Sequence, residues 1–405
     1  MRGQLSKYFL SLMITVLCLG SLMTTLIWYM WVGKHVEPQR PASQKKHAPK
    51  PSEICKGCKE IISKVQERYN QTWKKQEDNY LKFSHEEPHR PPPQKKRAPK
   101  LSEICKGCKE IIDKVHQRYN QTWKKNEKNH LKFRLQLKIR CNGSGNGILT
   151  QENTPVGTKL IHQTTMQVTP EIFKTFIKEH PFSDKTWDTC SVVGNGGILG
   201  NSGCGKMIDS ADFVIRCNLA PLETEFEKDV GSKTDLVTAN PSILNIKYQA
   251  LMGLRRPFVD SLRKYGSSLL LLPAFSASIN TAVCLRAVHT IEDFKSPIQP
   301  VFLNPQYLDS LAQFWRSEGL KERRLSTGLI MVTLALELCK NVHLYGFWPF
   351  GNHPYGLYTL TNHYYDDRPV NKYVHKMPAE FDQLLRMHSQ GMLRLHLGDC
   401  KTGDN

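Results

Sequence analysis

From about residue 151 onward, short continuous apolar runs alternate with helical stretches, and this alternation limits the architecture more than any other feature of the chain. The runs fall at 191–193, 213–217, 236–238, 268–272, 301–303, 342–347 and 393–396. Most are unbroken rather than alternating, as strands buried on both faces of a parallel sheet are. The pattern predicts an α/β layered domain with a mainly parallel central sheet, whose ligands bind outside the carboxyl ends of the strands. With 40% hydrophobic and 23% charged residues among 405, the composition supports a packed core and excludes a wholly disordered, collagen-like or multi-spanning chain.

The formal charge of +19 raises the question of a nucleic-acid partner, and its distribution answers it. Residues 33–140 hold 28 Lys/Arg against 12 Asp/Glu, whereas 141–405 hold 26 against 25. A DNA-reading domain carries its charge on the folded face that docks; here a basic stalk precedes a nearly neutral globule, which excludes nucleic acid. Positions 8–32 are 25 consecutive uncharged, mostly apolar residues with Trp28, Tyr29 and Trp31 at the far end. As a helix they would extend about 37 Å, enough to cross a bilayer. The run is longer than the apolar region of a cleaved leader, and no Ala-x-Ala-like site follows it. Arg2 and Lys7 precede the span while Lys34, Arg40, Lys45 and Lys46 follow it, a bias that taken alone would leave the C-terminal side cytoplasmic and that two considerations override. Long domains translocate largely regardless of charge, and three glycosylation sequons, at Asn70, Asn120 and Asn142, favour a lumenal C-terminal side. The expected layout is a cytosolic tail (1–7), a signal-anchor span (8–32), a basic lumenal stem (33–140) and a catalytic domain (141–405) in a type II membrane protein.

The stem contains a tandem repeat. Residues 44–83 and 94–133 share 32 identities in 40 positions. Each copy runs from a Pro/Lys-rich linker into an amphipathic helix, with Ile54, Cys58, Ile61, Ile62, Val65 and Tyr69 on one face of the first and Ile104, Cys108, Ile111, Ile112, Val115 and Tyr119 on that of the second. Two copies fall short of a solenoid, so they are expected to act as spacer and oligomerisation elements, with a homodimer as one outcome. The stem charge reads as a solvated spacer, the alternative being a tether for acidic glycans or anionic headgroups. Each copy also carries Cys-x-x-Cys, but the 46 residues between the pairs and the oxidising compartment favour disulfides over zinc.

Two stretches of the globular part point to chemistry. CSVVGNGGIL, from Cys190 to Leu199, is a strand entering a glycine-rich turn, where backbone amides approach a phosphate and Asn195 reaches a base or ribose. Leu199 occupies the third-glycine position of a dinucleotide fingerprint, which argues against an NAD-dependent reductase. An upstream decoy, NGSGNGIL at 142–149, is expected to be an exposed loop. In RRLSTGLIMVTLALELC, from Arg323 on, Ser326, Thr327 and Gly328 open an apolar helix and form either an anion site or an ordinary cap. The strand that follows leaves Trp348, Pro349 and Phe350 at its end, placed to stack on a ring or to fill the core. His363 precedes Asp366, and His375 precedes Glu380; a histidine is the natural base near neutral pH and a carboxylate orients it. No Asp-x-Asp occurs, so the carboxylate pair of metal-dependent nucleotide-sugar transferases is missing, and no metal or cofactor is expected.

Taken in order across Cys190 to Glu380, about half the chain, these blocks resemble the four sialylmotifs of the animal sialyltransferase family. CSVVGNGGIL through KDVGSKTDLVT is similar to the large motif, LSTGLIMVTLALELCKNVHLYGFWPF to the small one, HYYD to the third, and His375 with Glu380 to the very small motif. Their wording resembles the α-2,8 branch, and RRPF, NPQYL and RMHSQGMLRLH resemble the members that act on sialylated O-linked glycans. The resemblance implies a single Rossmann-like domain, a GT-A variant, in a Golgi membrane enzyme transferring sialic acid from CMP-sialic acid, with inversion and without metal, to the 8-hydroxyl of a terminal sialic acid on a glycoprotein or glycolipid. By it, His375 is the base; Asn195, Asn218, Ser326, Thr327, Gly328, Trp348, Pro349 and Phe350 hold the donor; and His363 touches its phosphate. It further implies disulfides Cys190–Cys339 and Cys204–Cys400, leaving Cys217 and Cys284 as buried thiols. Lys/Arg ahead of the small motif (Arg316, Lys321, Arg323, Arg324) are few, so one or a few additions are expected rather than a polymer. A catalytically silent membrane protein of the same fold is the competing class. The duplicated stem departs from the family pattern.

Overall fold

The continuous apolar runs form the strands of one sheet. A computed structural model describes residues 108–119, 123–161, 165–183, 185–321, 324–370 and 377–400, all within one compact unit, 93–405. The strands are β1 (Ile148–Leu149), β2 (Lys159–Ile161), β3 (Thr165–Gln167), β4 (Trp187–Val193), β5 (Phe213–Arg216), β6 (Leu236–Thr238), β7 (Leu269–Leu272), β8 (Gln299–Leu303), β9 (Cys339–Tyr345) and β10 (Arg394–His396). Eight lie in the order β1-β8-β7-β6-β5-β4-β9-β10, all parallel but for β1, which runs antiparallel to β8. β2 and β3 form a separate antiparallel pair. All seven expected strands are present.

The longer helices used below are α1 (Cys108–Tyr119), α2 (Glu127–Arg140), α3 (Ser278–Asp293), α4 (Pro305–Ser317), α5 (Thr327–Leu338) and α6 (Met377–Ser389). Side chains alternate across the sheet, so each strand feeds two cores. Phe213 and Ile215 pack with Leu311, Phe314, Val332 and Leu385 of α4, α5 and α6. Val214 between them faces the opposite cluster, with Val283, Ala287 and Ile291 of α3. Apolar almost all round, α5 is covered on every side, from Leu329 to Leu338 with Ile330 alone half-buried.

Two expectations need correction. The stretch 142–149 is not an exposed loop. Gly143, Ile148 and Leu149 are buried, the last two as edge strand β1, and the amides of Gly143 and Ser144 donate to the buried carboxylate of Glu337 at 3.0 and 3.3 Å. A two-residue strand has no periodicity to read. The second concerns the stretch expected to be stem: α1 and α2 fall within 33–140, yet both belong to the core.

α1 is the helix of the second repeat copy, and its apolar face packs on the sheet domain. Cys108, Ile112 and Val115 are buried in the same cluster as α5 and α6. Tyr119 stacks on His388 with centroids 4.8 Å apart, and its hydroxyl accepts from Leu397 N at 3.3 Å. Trp123 Nε1 donates to the carbonyls of His388 and Leu393 at 3.1 and 3.2 Å. The charge count that placed the boundary near 141 follows solvated lysines, whereas the core follows the buried face. The span at 8–32, the first repeat copy, and Asn70 and Asn120 lie outside the described residues. Among the described residues no helix is long and apolar enough to cross a membrane.

Candidate functional site

The strand order changes direction at β4, whose neighbours β5 and β9 lead to opposite edges of the sheet. Open parallel sheets bind ligands beside the carboxyl ends of the strands at such a reversal, and here the turns that leave β4 and β9 lie against each other. Glycines make the close approach possible. A Cβ on Gly194 or Gly196 would lie 2.9 or 2.6 Å from the carbonyl oxygen of Gly346, and one on Gly197 would collide with the Thr361 carbonyl. Gly194 N donates to Tyr345 O at 2.8 Å and Gly196 N to Gly346 O at 3.0 Å. Those two amides, expected to face a phosphate, are engaged in joining the strand ends.

Polar side chains line this end of the sheet in a connected chain. Asn195 Nδ2 donates to the Cys217 carbonyl at 2.9 Å, which holds the β4 turn against the end of β5. Asn218 follows β5 in the left-handed region, φ 62°, a conformation asparagine tolerates better than most residues. Its N–H donates to Thr238 Oγ1 and its Oδ1 accepts from Asn240 N, both at 2.9 Å. Asn240 Oδ1 in turn accepts from Thr327 Oγ1 at 3.0 Å. Sequence reasoning missed Asn240, which links the ends of β5 and β6 to the first turn of α5; before Pro241 it reads only as a helix start.

Ser326 is the N-cap of α5, accepting from Leu329 N at 3.1 Å. The sequence left cap and anion site open; the cap is formed, and Thr327 and Gly328 remain half-buried at the helix start. Glu380 at the head of α6 is buried, accepts from Ser326 N at 2.7 Å and is hydrogen-bonded to the Ser326 hydroxyl. The carboxylate therefore fixes the cap and through it the direction of α5, a role its spacing from His375 did not disclose. A buried carboxylate holding both a backbone amide and a hydroxyl is a charge-assisted anchor.

The aromatic cluster divides in two. Trp348 is 3% exposed, its Nε1 donates to the Asn352 carbonyl at 2.8 Å, and it meets Phe350 and Phe381 edge to face, so its ring belongs to the core. Pro349 and Phe350 are half-buried. His363 is bridged through its backbone to Gly196 and stacks on Tyr365 at 5.0 Å; its Nδ1 lies 2.6 Å from Asp366 Oδ2. Asp366 thus orients the ring and leaves Nε2 as the nitrogen directed elsewhere, with Asn362 Nδ2 3.2 Å from it. The structure brings Asn195, Asn218, Ser326, Thr327, Gly328 and His363 to the one end of the sheet. His375 lies outside the described residues.

The remaining motif residues support this end rather than line it. Arg216, buried at the end of β5, donates to the carbonyls of Val230 and Lys233 and pairs with Asp209 at 3.4 Å. Asp209 also accepts from the amides of Ser232 and Lys233, and the position of Gly231 (φ 68°) leaves no room beside it for a Cβ. The disulfides Cys190–Cys339 and Cys204–Cys400 are both formed, and Cys141, Cys217 and Cys284 are free and buried. Asn142, a sequon residue, is half-buried at the start of a short turn with φ 52°. Among the described residues no group of three or more His, Cys, Asp or Glu is placed to hold a metal ion.

Comparison with known proteins adds the following. The model of glycosyltransferase family 29 (sialyltransferase) matches residues 144–392. Alpha-2,8-sialyltransferase 8E of Rattus norvegicus is 48% identical over 264 residues, covering 64% of this chain and 70% of that protein. Alpha-2,8-sialyltransferase 8F of Homo sapiens is 42% identical over 273 residues, covering 66% and 68%. A crystal structure of a mammalian sialyltransferase aligns at a TM-score of 0.37 with 23% identity, over 71% of this chain and 86% of that one.

Proposed function

The chain belongs to glycosyltransferase family 29, the sialyltransferases, and on that premise we propose that it transfers sialic acid from CMP-sialic acid to the 8-hydroxyl of a terminal sialic acid. The observation that carries the donor-site reading is the chain Asn218–Asn240–Thr327, which ties the ends of β5 and β6 to the N-terminus of α5 at the carboxyl end of the sheet. A helix start with hydroxyls at its first positions suits a nucleotide phosphate through the positive end of its dipole, on the Thr327 side away from the cap that Glu380 holds.

The mechanism proposed is an inverting displacement. His375 removes the proton of the acceptor 8-hydroxyl as that oxygen attacks the anomeric carbon, the bond to the phosphate oxygen breaks, and CMP leaves with the electron pair. Asn195, Asn218, Ser326, Thr327, Gly328 and the Trp348–Pro349–Phe350 segment hold the CMP part. His363, oriented by Asp366, meets the leaving phosphate and stabilises the charge that develops there. The burial of Trp348 restricts its share to shaping the wall on which Phe350 rests. The reaction is proposed to be independent of metal, in keeping with the absence of Asp-x-Asp from the sequence.

The acceptor proposed is a sialylated O-glycan on a glycoprotein, supported by the wording of RRPF, NPQYL and RMHSQGMLRLH; gangliosides are the second reading. The proposed setting is a Golgi membrane, with the chain anchored by 8–32 and the catalytic unit lumenal, one or a few residues being added to each acceptor. The full chain, offered CMP-sialic acid with a sialylated O-glycan glycoprotein and a monosialo-ganglioside side by side, tests this. Preference for the glycoprotein supports the reading, and preference for the lipid replaces it. No transfer by a folded chain that still binds CMP would favour a silent binding protein.

A further inference from the structure

Tyr265 belongs to none of the motif blocks; it closes a short turn, Arg263–Tyr265, ahead of β7. Its ring is 5% exposed, and its hydroxyl donates to the Ala220 carbonyl across 45 residues of chain. The next carbonyl, that of Pro221, accepts from the hydroxyl of the equally buried Tyr364 at 2.5 Å. Lys264, beside Tyr265, is paired with Glu223. Two buried phenols and one ion pair thus grip residues 220–223, none of which is a donor-site residue. What they hold is the turn that leaves β5. Asn218 and Leu219 both have positive φ, 62° and 46°. Consecutive left-handed residues are uncommon outside glycine, and leucine has no polar group with which to offset the cost. Pro221 disfavours the helical region for Ala220, so the change of direction falls on Asn218 and Leu219. A conformation of this kind persists only where its surroundings over-determine it. On the β6 side Asn218 N donates to Thr238 Oγ1 at 2.9 Å and Leu219 N to Thr238 O at 3.0 Å. On the other side the two phenols supply the remaining constraints.

We infer that Tyr265 is a positioning residue for the donor site: its hydroxyl holds the Ala220 carbonyl, keeps Asn218 and Leu219 left-handed, and so aims the Asn218 side chain at the bound nucleotide. The inference rests on the proposed donor site and adds to it a residue that does not touch the donor. Ala220 is 4% exposed, and a buried carbonyl deprived of its donor is costly. The turn relieves that cost most easily by swinging the carbonyl away, which returns Leu219 toward the ordinary right-handed region and carries Asn218 with it. Tyr364 has a second tie to the site, since its N–H donates to Asn195 O at 3.1 Å and His363 precedes it in the chain. Tyr265 has its ring among the apolar residues on the other face of the sheet, with Leu262 and Leu270, so its link to the donor runs through the hydroxyl and the turn at 218–220.

The test titrates the full chain with CMP by calorimetry and follows the thermal transition of each variant in parallel. Tyr265→Phe keeps the ring and deletes the hydroxyl. It should bind CMP about fivefold more weakly while its transition stays cooperative. Asn218→Gly should weaken CMP binding as well, and Tyr265→Phe added to it should shift the affinity by less than about twofold, because the side chain it aims is gone. A hydroxyl that only supports the fold would give the same loss in both backgrounds. Tyr265→Phe binding CMP like the parent, losses that add, or a Tyr265→Phe chain that no longer melts cooperatively would each overturn the inference. A parent that does not bind CMP, or Asn218→Gly binding it like the parent, would bring down the donor-site reading and this inference with it. If Asn218→Gly weakens binding and Tyr265→Phe does not, the inference alone fails and the donor site stands.

Discussion

Asn218 joins a left-handed backbone to a hydrogen bond that reaches the next strand end. Its φ of 62° would strain most side chains, and its Oδ1 holds the amide of Asn240. Two substitutions separate the roles. Asn218→Gly keeps the backbone and removes the acceptor, so it should cost only the hydrogen bond to Asn240, about 0.5–1.5 kcal/mol, while the KM for CMP-sialic acid rises. Asn218→Ala removes both, adding about 1–2 kcal/mol of destabilisation from the left-handed backbone. Equal stability of the two variants in chemical denaturation would show that the backbone conformation matters little. Glu380 works through other groups: Glu380→Gln cannot accept from both the amide and the hydroxyl of Ser326 with full charge. It should lower stability by about 1.5–3 kcal/mol and reduce donor affinity, whereas Glu380→Asp should restore part of the charge effect. Asparagine and glutamate at these positions were legible as motif members, but their partners were not, because a hydrogen bond across 22 or 54 residues leaves no local trace.

At the scale of elements, α1, α6 and the β9–β10 edge form one aromatic and histidine stack. Tyr119 lies on His388, Tyr345 on His396 at 4.4 Å, and His343 Nδ1 is 3.0 Å from His396 Nε2. Burial holds His343 and His388 down to about 4 and His396 well below its ordinary value. These rings are neutral in the fold and charge more readily when unfolded. Their contribution to stability is therefore complete above pH 6.5 and is lost as pH falls toward about 4. The melting temperature should drop across that window, and less so in His388→Asn than in the parent. A melting temperature independent of pH between 6.5 and 4 would contradict the assignment of neutral rings. Removal of the stacked partner by Tyr119→Ala should cost at least about 0.5–1.5 kcal/mol, measured by thermal or chemical denaturation. The strands were legible because parallel pairing requires both faces to be apolar. The docking of α1 was not, because an amphipathic face states that it will be covered and not by what. The edge strand β1 was too short to show any period.

For the molecule as a whole, the order β1-β8-β7-β6-β5-β4-β9-β10 concentrates the motif residues at one end of the sheet, and two covalent links hold that arrangement. Cys204–Cys400 closes a separation of 196 residues, so Cys204→Ser/Cys400→Ser should lower stability by about 2–5 kcal/mol, read by denaturant unfolding. The pairing followed from the family resemblance and not from the sequence spacing, since many connectivities are open to many cysteines. The proposal that most needs testing is that the chain transfers sialic acid with His375 as base and no metal. The most direct measurement gives the full chain CMP-sialic acid and a sialylated O-glycan glycoprotein in excess EDTA, with His375→Ala beside it. The account predicts transfer that EDTA leaves unchanged and that falls at least about a hundredfold in the variant while CMP binding persists. Transfer that EDTA abolishes, or that His375→Ala sustains, would contradict it.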